Sequence, residues 1–124
     1  MAESIICARS FEFACRVLGL CDRLHERGAS ARHIASQLMR CGTSVGANAE
    51  EAQEGQSKAD FIAKLSISSK EARETKWWLR VAVRTGKVKQ EEVSWELSEI
   101  SQLMKMLRSA ILTARESPDR GQSR

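Results

Sequence analysis

The side chains that could support metal, nucleophilic or acid–base chemistry are few in this chain and poorly grouped. Cys21 and His25 are spaced i, i+4, which would place two metal ligands on one face of a helix. Nothing in the spacing places the other histidine, His33, where it would complete such a site. The alternative is an ordinary half-buried thiol beside a surface imidazole. We therefore expect no metal and no cofactor.

Glu71 and Glu74 form an acidic pair, but no histidine follows them. A di-iron helical bundle uses Glu-x-x-His motifs, whereas His25 and His33 both precede these glutamates. A serine or cysteine nucleophile needs a paired base, and neither histidine has a recognisable partner motif near Ser44. We expect a protein that is not an enzyme and has no small-molecule substrate. The two glutamates are then structural, forming salt bridges to lysines on neighbouring turns or polar contacts across a subunit boundary.

Length and composition favour one small helical domain. The chain has 124 residues and a single proline, Pro118, which argues against a turn-rich β-fold. All the cysteines lie in the first third of the chain, so we expect reduced thiols rather than a disulfide scaffold. The N-terminal segment lacks the pattern of a signal peptide, and no apolar run approaches the roughly 18 residues of a membrane span. A cytoplasmic protein that does not bind membranes is expected.

Apolar residues recur at alternating steps of three and four in four segments, which predicts four helices. These segments cover residues 10–27, 34–52, 57–86 and 93–114. In the last segment the apolar seam consists of Val93, Leu97, Ile100, Met104, Leu107, Ile111 and Ala114. Short connections make consecutive helices antiparallel, so the fold class is all-α, an up-down-up-down four-helix bundle. We assign residues 1–116 to this single domain and residues 117–124 to a disordered tail.

The positive charge of the chain is concentrated in the third segment. The whole chain has a net charge of +4, and residues 57–86 alone also carry a net charge of +4. On an ideal helix five of these cations fall within an arc of about 120°. This cationic stripe consists of Lys70, Arg73, Lys76, Arg80 and Arg84. Trp77 lies at its edge, so the stripe could contact phosphates while the indole stacks on bases. The alternative is a solvated basic face with Trp77 buried against another subunit.

Small residues run beside the seam of the second segment. Gly42 and Gly46 are one turn apart, although a glycine inside a helix costs about 1 kcal/mol relative to alanine. Close approach of a neighbouring helix would explain them, and a kink or an anion-binding turn is the alternative. In the third segment Trp78 points away from both the seam and the cationic stripe. A helix that is apolar on several sides must be covered on several sides, which favours an oligomer.

Three stretches carry a family resemblance: SFEFACRVLGL at 10–20, CGTSVGANAEEA at 41–52 and SKADFIAKLSISSKEARETKWWL at 57–79. They resemble the four-helix-bundle family of bacterial 23S ribosomal RNA intervening-sequence proteins. The resemblance implies an up-down bundle that assembles as a ring-shaped homopentamer without known catalytic activity. It also implies a similarity in fold to the accessory variability determinant of diversity-generating retroelements, a basic pentamer that binds a reverse transcriptase and its RNA.

The family motifs can be carried onto particular positions of this chain. The small-residue turn of the family falls on Gly42, Thr43, Ser44, Gly46 and Asn48. Its acidic and aromatic motif falls on Glu71, Glu74, Thr75, Trp78 and Leu79. The family often has a tyrosine where this chain has Trp77, a departure that keeps an aromatic ring and removes a hydroxyl. Gly42, Gly46, Asn48, Glu71, Glu74 and Trp78 are therefore candidates for helix packing or oligomer contacts.

These observations lead to one favoured hypothesis and one alternative. The favoured hypothesis is a ring-forming bundle that binds structured RNA, or else DNA or an RNA–DNA hybrid, through the cationic stripe and Trp77. Its biological setting would be a diversity-generating retroelement, as an accessory subunit of the reverse transcriptase, or an rRNA intervening sequence. The alternative is an oligomeric scaffold that binds a protein partner and has no direct contact with nucleic acid.

Overall fold

The structure is a computed structural model that describes residues 4–118. In this part of the chain there are four α-helices and no strand: α1 Ile5–His25, α2 Ala29–Gln53, α3 Lys58–Arg84 and α4 Ser94–Glu116. A short 3-10 helix, Gln90–Val93, precedes α4. The predicted all-helical fold is confirmed. Residues 119–124 of the predicted tail lie outside the described residues, and the single-domain assignment stays a prediction.

The first helix begins earlier than the apolar spacing predicts. It starts at Ile5 rather than Ser10, because Ser4 is its N-cap and the Ser4 hydroxyl accepts a hydrogen bond from the Cys7 amide at 3.3 Å. An N-cap serine satisfies one of the amide groups that a helix start leaves without a partner. The first turn holds too few apolar residues for their spacing to show where the helix begins.

Each helix packs against the next one along the chain, and α4 also packs against α1. The connections are short, and Gly28 and Gly86 adopt positive φ angles of 111° and 72° where α1 and α3 end. Glycine adopts such angles without the steric cost that a side chain would add. This order of contacts fits the predicted up-down arrangement of four helices.

The heptad seams form the core, with a local difference in α4. Leu38, Val45, Leu65 and Leu79 from the predicted seams are fully buried. In α4 the predicted positions Ile100, Leu107 and Ile111 are buried. Glu96 and Leu103 are buried in place of the predicted positions Leu97 and Met104, which are only half-buried.

Two glycines allow α1 and α2 to approach closely. A Cβ atom on Gly42 would lie 3.0 Å from a methyl group of Val17, and one on Gly46 would lie 3.2 Å from the carbonyl oxygen of Ser10. This close approach supports the helix-packing interpretation of these two glycines. The small-residue turn and the anion-binding turn are wrong for this chain, because both glycines lie inside the continuous helix α2. Asn48, two residues further along α2, is half-buried and donates to the Ser44 carbonyl at 2.9 Å.

Charged side chains link α1 and the turn after it to α4 and the 3-10 helix before it. Arg9 of α1 makes a bidentate contact with Glu99 of α4, with N···O distances of 2.7 and 2.8 Å. Glu92 of the 3-10 helix accepts hydrogen bonds from Arg27, just after α1, at 2.8 and 2.9 Å and from Arg23 of α1 at 3.1 Å. These three arginines are therefore already paired with carboxylates of the same chain.

Candidate nucleic-acid interface

The cationic stripe lies on the outer face of α3. The opposite face of α3 packs into the core through Leu65, Ala72 and Leu79, so the cations point outward. Lys70, Arg73, Arg80 and Arg84 are exposed, and Lys76 is half-buried. Within the described residues no carboxylate lies within ion-pair distance of any of the five. Arg73 makes one polar contact, with the Ser69 hydroxyl at 3.3 Å.

A groove of about 640 Å³ runs between α3 and α4, next to this stripe. We call it the basic groove, because five cations and no carboxylate line it in the described part of the chain. Two of the cations, Arg73 and Lys76, belong to the stripe. The other three are on α4: Lys105, Arg108 and Arg115. The structure thus joins part of the predicted stripe to a second row of positive charge, whereas Lys70, Arg80 and Arg84 lie outside the groove.

The three α4 cations were missed at the sequence level because charge was averaged over a long segment. Residues 87–116 have no net charge. Their acidic residues are concentrated before position 100, and two of these, Glu92 and Glu99, are paired with arginines in or just after α1. The basic residues that follow therefore have no nearby acidic neighbour on α4 before Glu116. A shorter counting window would have revealed this segregation.

Several positive groups elsewhere in the bundle have carboxylate partners. Arg9 pairs with Glu99, and Arg23 and Arg27 pair with Glu92. Arg16 lies over the indole of Trp95, 4.1 Å from the ring centroid. Arg40 of α2 contacts both Glu71 and Glu74 of α3. Like charges that are gathered in one place and lack partners produce the strongest local field. The basic groove and the adjacent stripe bring together cations of α3 and α4 that are unpaired within residues 4–118.

The predicted acidic pair has a partner that the sequence analysis did not identify. Glu71 and Glu74 contact Arg40 on the neighbouring helix α2, rather than lysines on their own helix. Glu74 also accepts a hydrogen bond from the indole nitrogen of Trp78 at 3.2 Å. Glu71 and Glu74 thus serve to join α2 to α3. No spacing along α3 indicates this contact, because Arg40 is about 30 residues away in sequence.

Trp77 and Trp78 differ in their environments. Trp77 is 52% exposed, whereas Trp78 is half-buried. Their ring centroids are 4.8 Å apart with an interplanar angle of 82°, and His33 of α2 lies 5.6 Å from Trp78. Edge-to-face contacts of this kind stabilise aromatic pairs. Trp77 is therefore supported from one side by Trp78 and presents a surface to solvent beside the cationic stripe.

A family model described as 23S rRNA-intervening sequence protein matches residues 2–109, which includes α1 to α3 and most of α4. The chain belongs to the 23S rRNA-intervening sequence protein family. The family resemblance noted from the three sequence stretches is thereby confirmed.

A solved structure agrees with this assignment. It is a crystal structure of a protein with unknown function from the S23 ribosomal protein family of Bacteroides thetaiotaomicron, and it is 37% identical to this family member. The alignment covers 86% of this chain and 98% of that chain, with a TM-score of 0.80. No curated protein matches the chain.

The candidate chemistry at Cys21 and His25 does not come together in this family member. Burial raises the pKa of the Cys21 thiol to about 12, so the thiol is protonated at neutral pH. Its sulfur contacts the Ala35 carbonyl at 3.3 Å, while His25 is exposed. Among residues 4–118 there is no group of three or more histidine, cysteine, aspartate or glutamate side chains that could hold a metal ion.

Within residues 4–118, no helix is both long enough and apolar enough to cross a bilayer.

Proposed function

We propose that this protein binds RNA without catalysing a reaction, and that the basic groove and the cationic stripe form its binding surface. The observation that carries the proposal is the basic groove itself, in which five cations from two helices face one cavity and no carboxylate of residues 4–118 lines it. A cationic groove of this kind attracts the phosphate backbone of nucleic acids. Exposed Trp77, at the edge of the stripe, adds a surface on which a base can stack.

The charges predict a measurable salt dependence. Phosphate contacts release counterions, so the logarithm of the affinity falls linearly with the logarithm of the salt concentration. If all five groove cations contact phosphates of a single strand, the slope is roughly −3.5. Each lost contact reduces that slope by about 0.7. This provides a count of contacts that does not depend on the RNA sequence.

We further propose a homopentameric ring. Three exposed apolar residues on α1 and α2 support self-association: Phe11, Leu18 and Met39 are 64%, 42% and 43% exposed. Five copies of a subunit with a net charge of +4 would together carry about +20, which strengthens attraction to RNA. Light scattering tests this directly, because a monomer has a mass of 13.9 kDa. A species near that mass would refute the ring.

The biological setting that we propose is cytoplasmic. The family description refers to 23S rRNA, which favours ribosomal RNA or its intervening sequence as the bound nucleic acid. The proposed alternative setting is a diversity-generating retroelement, in which the ring would serve a reverse transcriptase as an accessory subunit. Pull-down with a purified reverse transcriptase in the presence and absence of RNA distinguishes the two.

The decisive experiment is charge reversal in the basic groove. The double variant Arg73→Glu/Arg108→Glu changes one cation on each wall, and both residues are exposed, so folding is expected to be retained. Fluorescence anisotropy with a labelled hairpin RNA that carries a single-stranded tail should show at least a tenfold loss of affinity and a shallower salt slope. The double variant Arg32→Glu/Lys89→Glu is the matched control, because it changes the net charge equally and both residues are exposed and do not line the groove.

Equal RNA affinity of the two variants would refute the groove assignment. A specific observation favours the second candidate function, an oligomeric protein-interaction scaffold: the apolar residues Phe11 and Leu18 are exposed on α1 and could contact a different protein. In that case the protein would be oligomeric by light scattering and would not bind the RNA at any salt concentration.

A further inference from the structure

The basic groove differs from a purely electrostatic surface in having an apolar floor. Met104, Ile111 and Leu112 of α4 line it together with the cations. Leu112 is 48% exposed and is not part of the buried core of the bundle. Three hydroxyl groups, those of Ser66, Ser69 and Ser101, complete the lining. The cavity therefore offers charges, hydrogen-bonding groups and an apolar surface to the same ligand.

The dimensions of the groove limit what can enter it. Its volume of about 640 Å³ is in the range of cavities that hold small organic molecules. An RNA duplex presents phosphates and ribose hydroxyls on its outside, while its stacked and paired bases are inaccessible to apolar side chains. A duplex would therefore contact the rims of the groove and leave Met104 and Leu112 uncovered. Unpaired nucleotides, in contrast, can turn their bases inward.

The distribution of the cations favours a nucleic acid over an acidic protein segment. They occur on both walls, with Arg73 on α3 and Arg108 on α4, and along α4 they extend from Lys105 to Arg115, about 15 Å of helix. A nucleic acid strand has a negative charge at every nucleotide and can meet such a row throughout its length. An amphipathic acidic helix carries its charges on one face and needs a continuous apolar groove for the other.

We propose that the basic groove binds a single-stranded stretch of RNA, with unpaired bases on Met104 and Leu112 and phosphates at the cations of the two walls. This inference rests on the proposed function and specifies its substrate class. The serine hydroxyls supply hydrogen bonds to phosphate or ribose oxygens. Arginine side chains and a methionine sulfur both make favourable contacts with flat aromatic systems, which suits nucleobases.

The experiment compares one RNA sequence in two states. An unstructured oligonucleotide of roughly 12 nucleotides, labelled at one end, is titrated with the full-length protein before and after annealing to its complement. Both titrations use the same salt concentration. Single-stranded RNA is expected to bind at least tenfold more tightly than the duplex.

Two variants test the apolar floor separately from the charges. Leu112→Ser is expected to weaken single-strand binding about fivefold and to leave the affinity for duplex and the salt slope unchanged. Ile67→Ser is the matched control, since Ile67 is 42% exposed on α3 and does not line the groove. Met104→Gln provides a second floor variant of similar shape, and circular dichroism verifies that all the variants are folded.

The outcomes separate this inference from the proposed function. If no RNA probe binds, the proposed function fails and the inference fails with it. If duplex and single strand bind equally, or Leu112→Ser and Ile67→Ser are indistinguishable, RNA binding stands and the single-strand assignment is overturned. If an acidic amphipathic peptide binds more tightly than RNA and loses affinity in Leu112→Ser, the groove is a protein-docking site instead.

Discussion

Gly46 of α2 lies directly against Ser10 of α1, so closely that a Cβ atom at Gly46 would be 3.1 Å from the Ser10 hydroxyl and 3.2 Å from the Ser10 carbonyl. Because part of that contact is with backbone, it cannot be relieved by a side-chain rotation. Gly46→Ala is expected to push α1 and α2 apart and to lower the free energy of unfolding by about 1–3 kcal/mol, as overpacking of a core does. Urea denaturation measures the change.

Gly19 provides the matched control for this substitution. It also lies inside a helix, but its nearest neighbour would be the end of the flexible Arg23 side chain at 3.9 Å. Gly19→Ala should therefore raise the stability by up to about 1 kcal/mol, through helix propensity alone. A stabilising Gly46→Ala would contradict the close packing of α1 and α2.

The pairing of Glu92 predicts a loss of stability in acid. Hydrogen bonds from Arg27 outweigh the opposing effect of burial and, with those from Arg23, lower the pKa of Glu92 from 4.5 to about 2. A lowered pKa in the folded state contributes stability above the unfolded value, and this contribution is lost as the pH falls. The melting temperature should therefore decrease between about pH 4.5 and pH 2. In Glu92→Gln this decrease should be smaller.

Glu91→Gln is the control for this acid effect. Glu91 is the exposed neighbour of Glu92 and has no ion-pair partner within the described residues. If the two variants have the same melting temperature throughout this pH range, Glu92 does not join α1 to α4 in solution.

The sequence predicts some features of this bundle well, because they repeat along one helix. The buried face of α3, from Leu65 to Leu79, follows from heptad spacing alone. The contact of Arg40 with Glu74 does not, since it depends on how α2 and α3 are aligned. Likewise, Arg108 faces Arg73 only because α4 packs antiparallel beside α3. Residues that a single helix brings together are predictable, whereas sites between helices require the tertiary structure.

The cysteines should react at very different rates. Cys15 is exposed on α1, whereas Cys21 and Cys41 are buried and burial raises the pKa of both thiols. Native protein treated with iodoacetamide at pH 8 should be alkylated first at Cys15, and Cys21 and Cys41 should react only after unfolding in denaturant. Peptide mass spectrometry identifies the modified residues. Rapid alkylation of Cys21 in native protein would contradict its position in the core.

Trp77 gives the sharpest test of the surface next to the basic groove, because its two interpretations predict different losses. If its exposed indole stacks on a base, Trp77→Ala should weaken RNA binding by about 1–3 kcal/mol while the oligomer and the melting temperature are unchanged. If it is instead buried against another subunit, the same variant should dissociate the oligomer in light scattering.

Trp77→Phe separates the two interpretations further, since it keeps an aromatic face of smaller area. In the stacking interpretation it should recover most of the RNA affinity that Trp77→Ala loses. Anisotropy and light scattering on the same three proteins, wild type, Trp77→Ala and Trp77→Phe, decide the matter. Unchanged RNA affinity together with an intact oligomer in both variants would exclude Trp77 from either role and leave the cations of the groove as the binding surface.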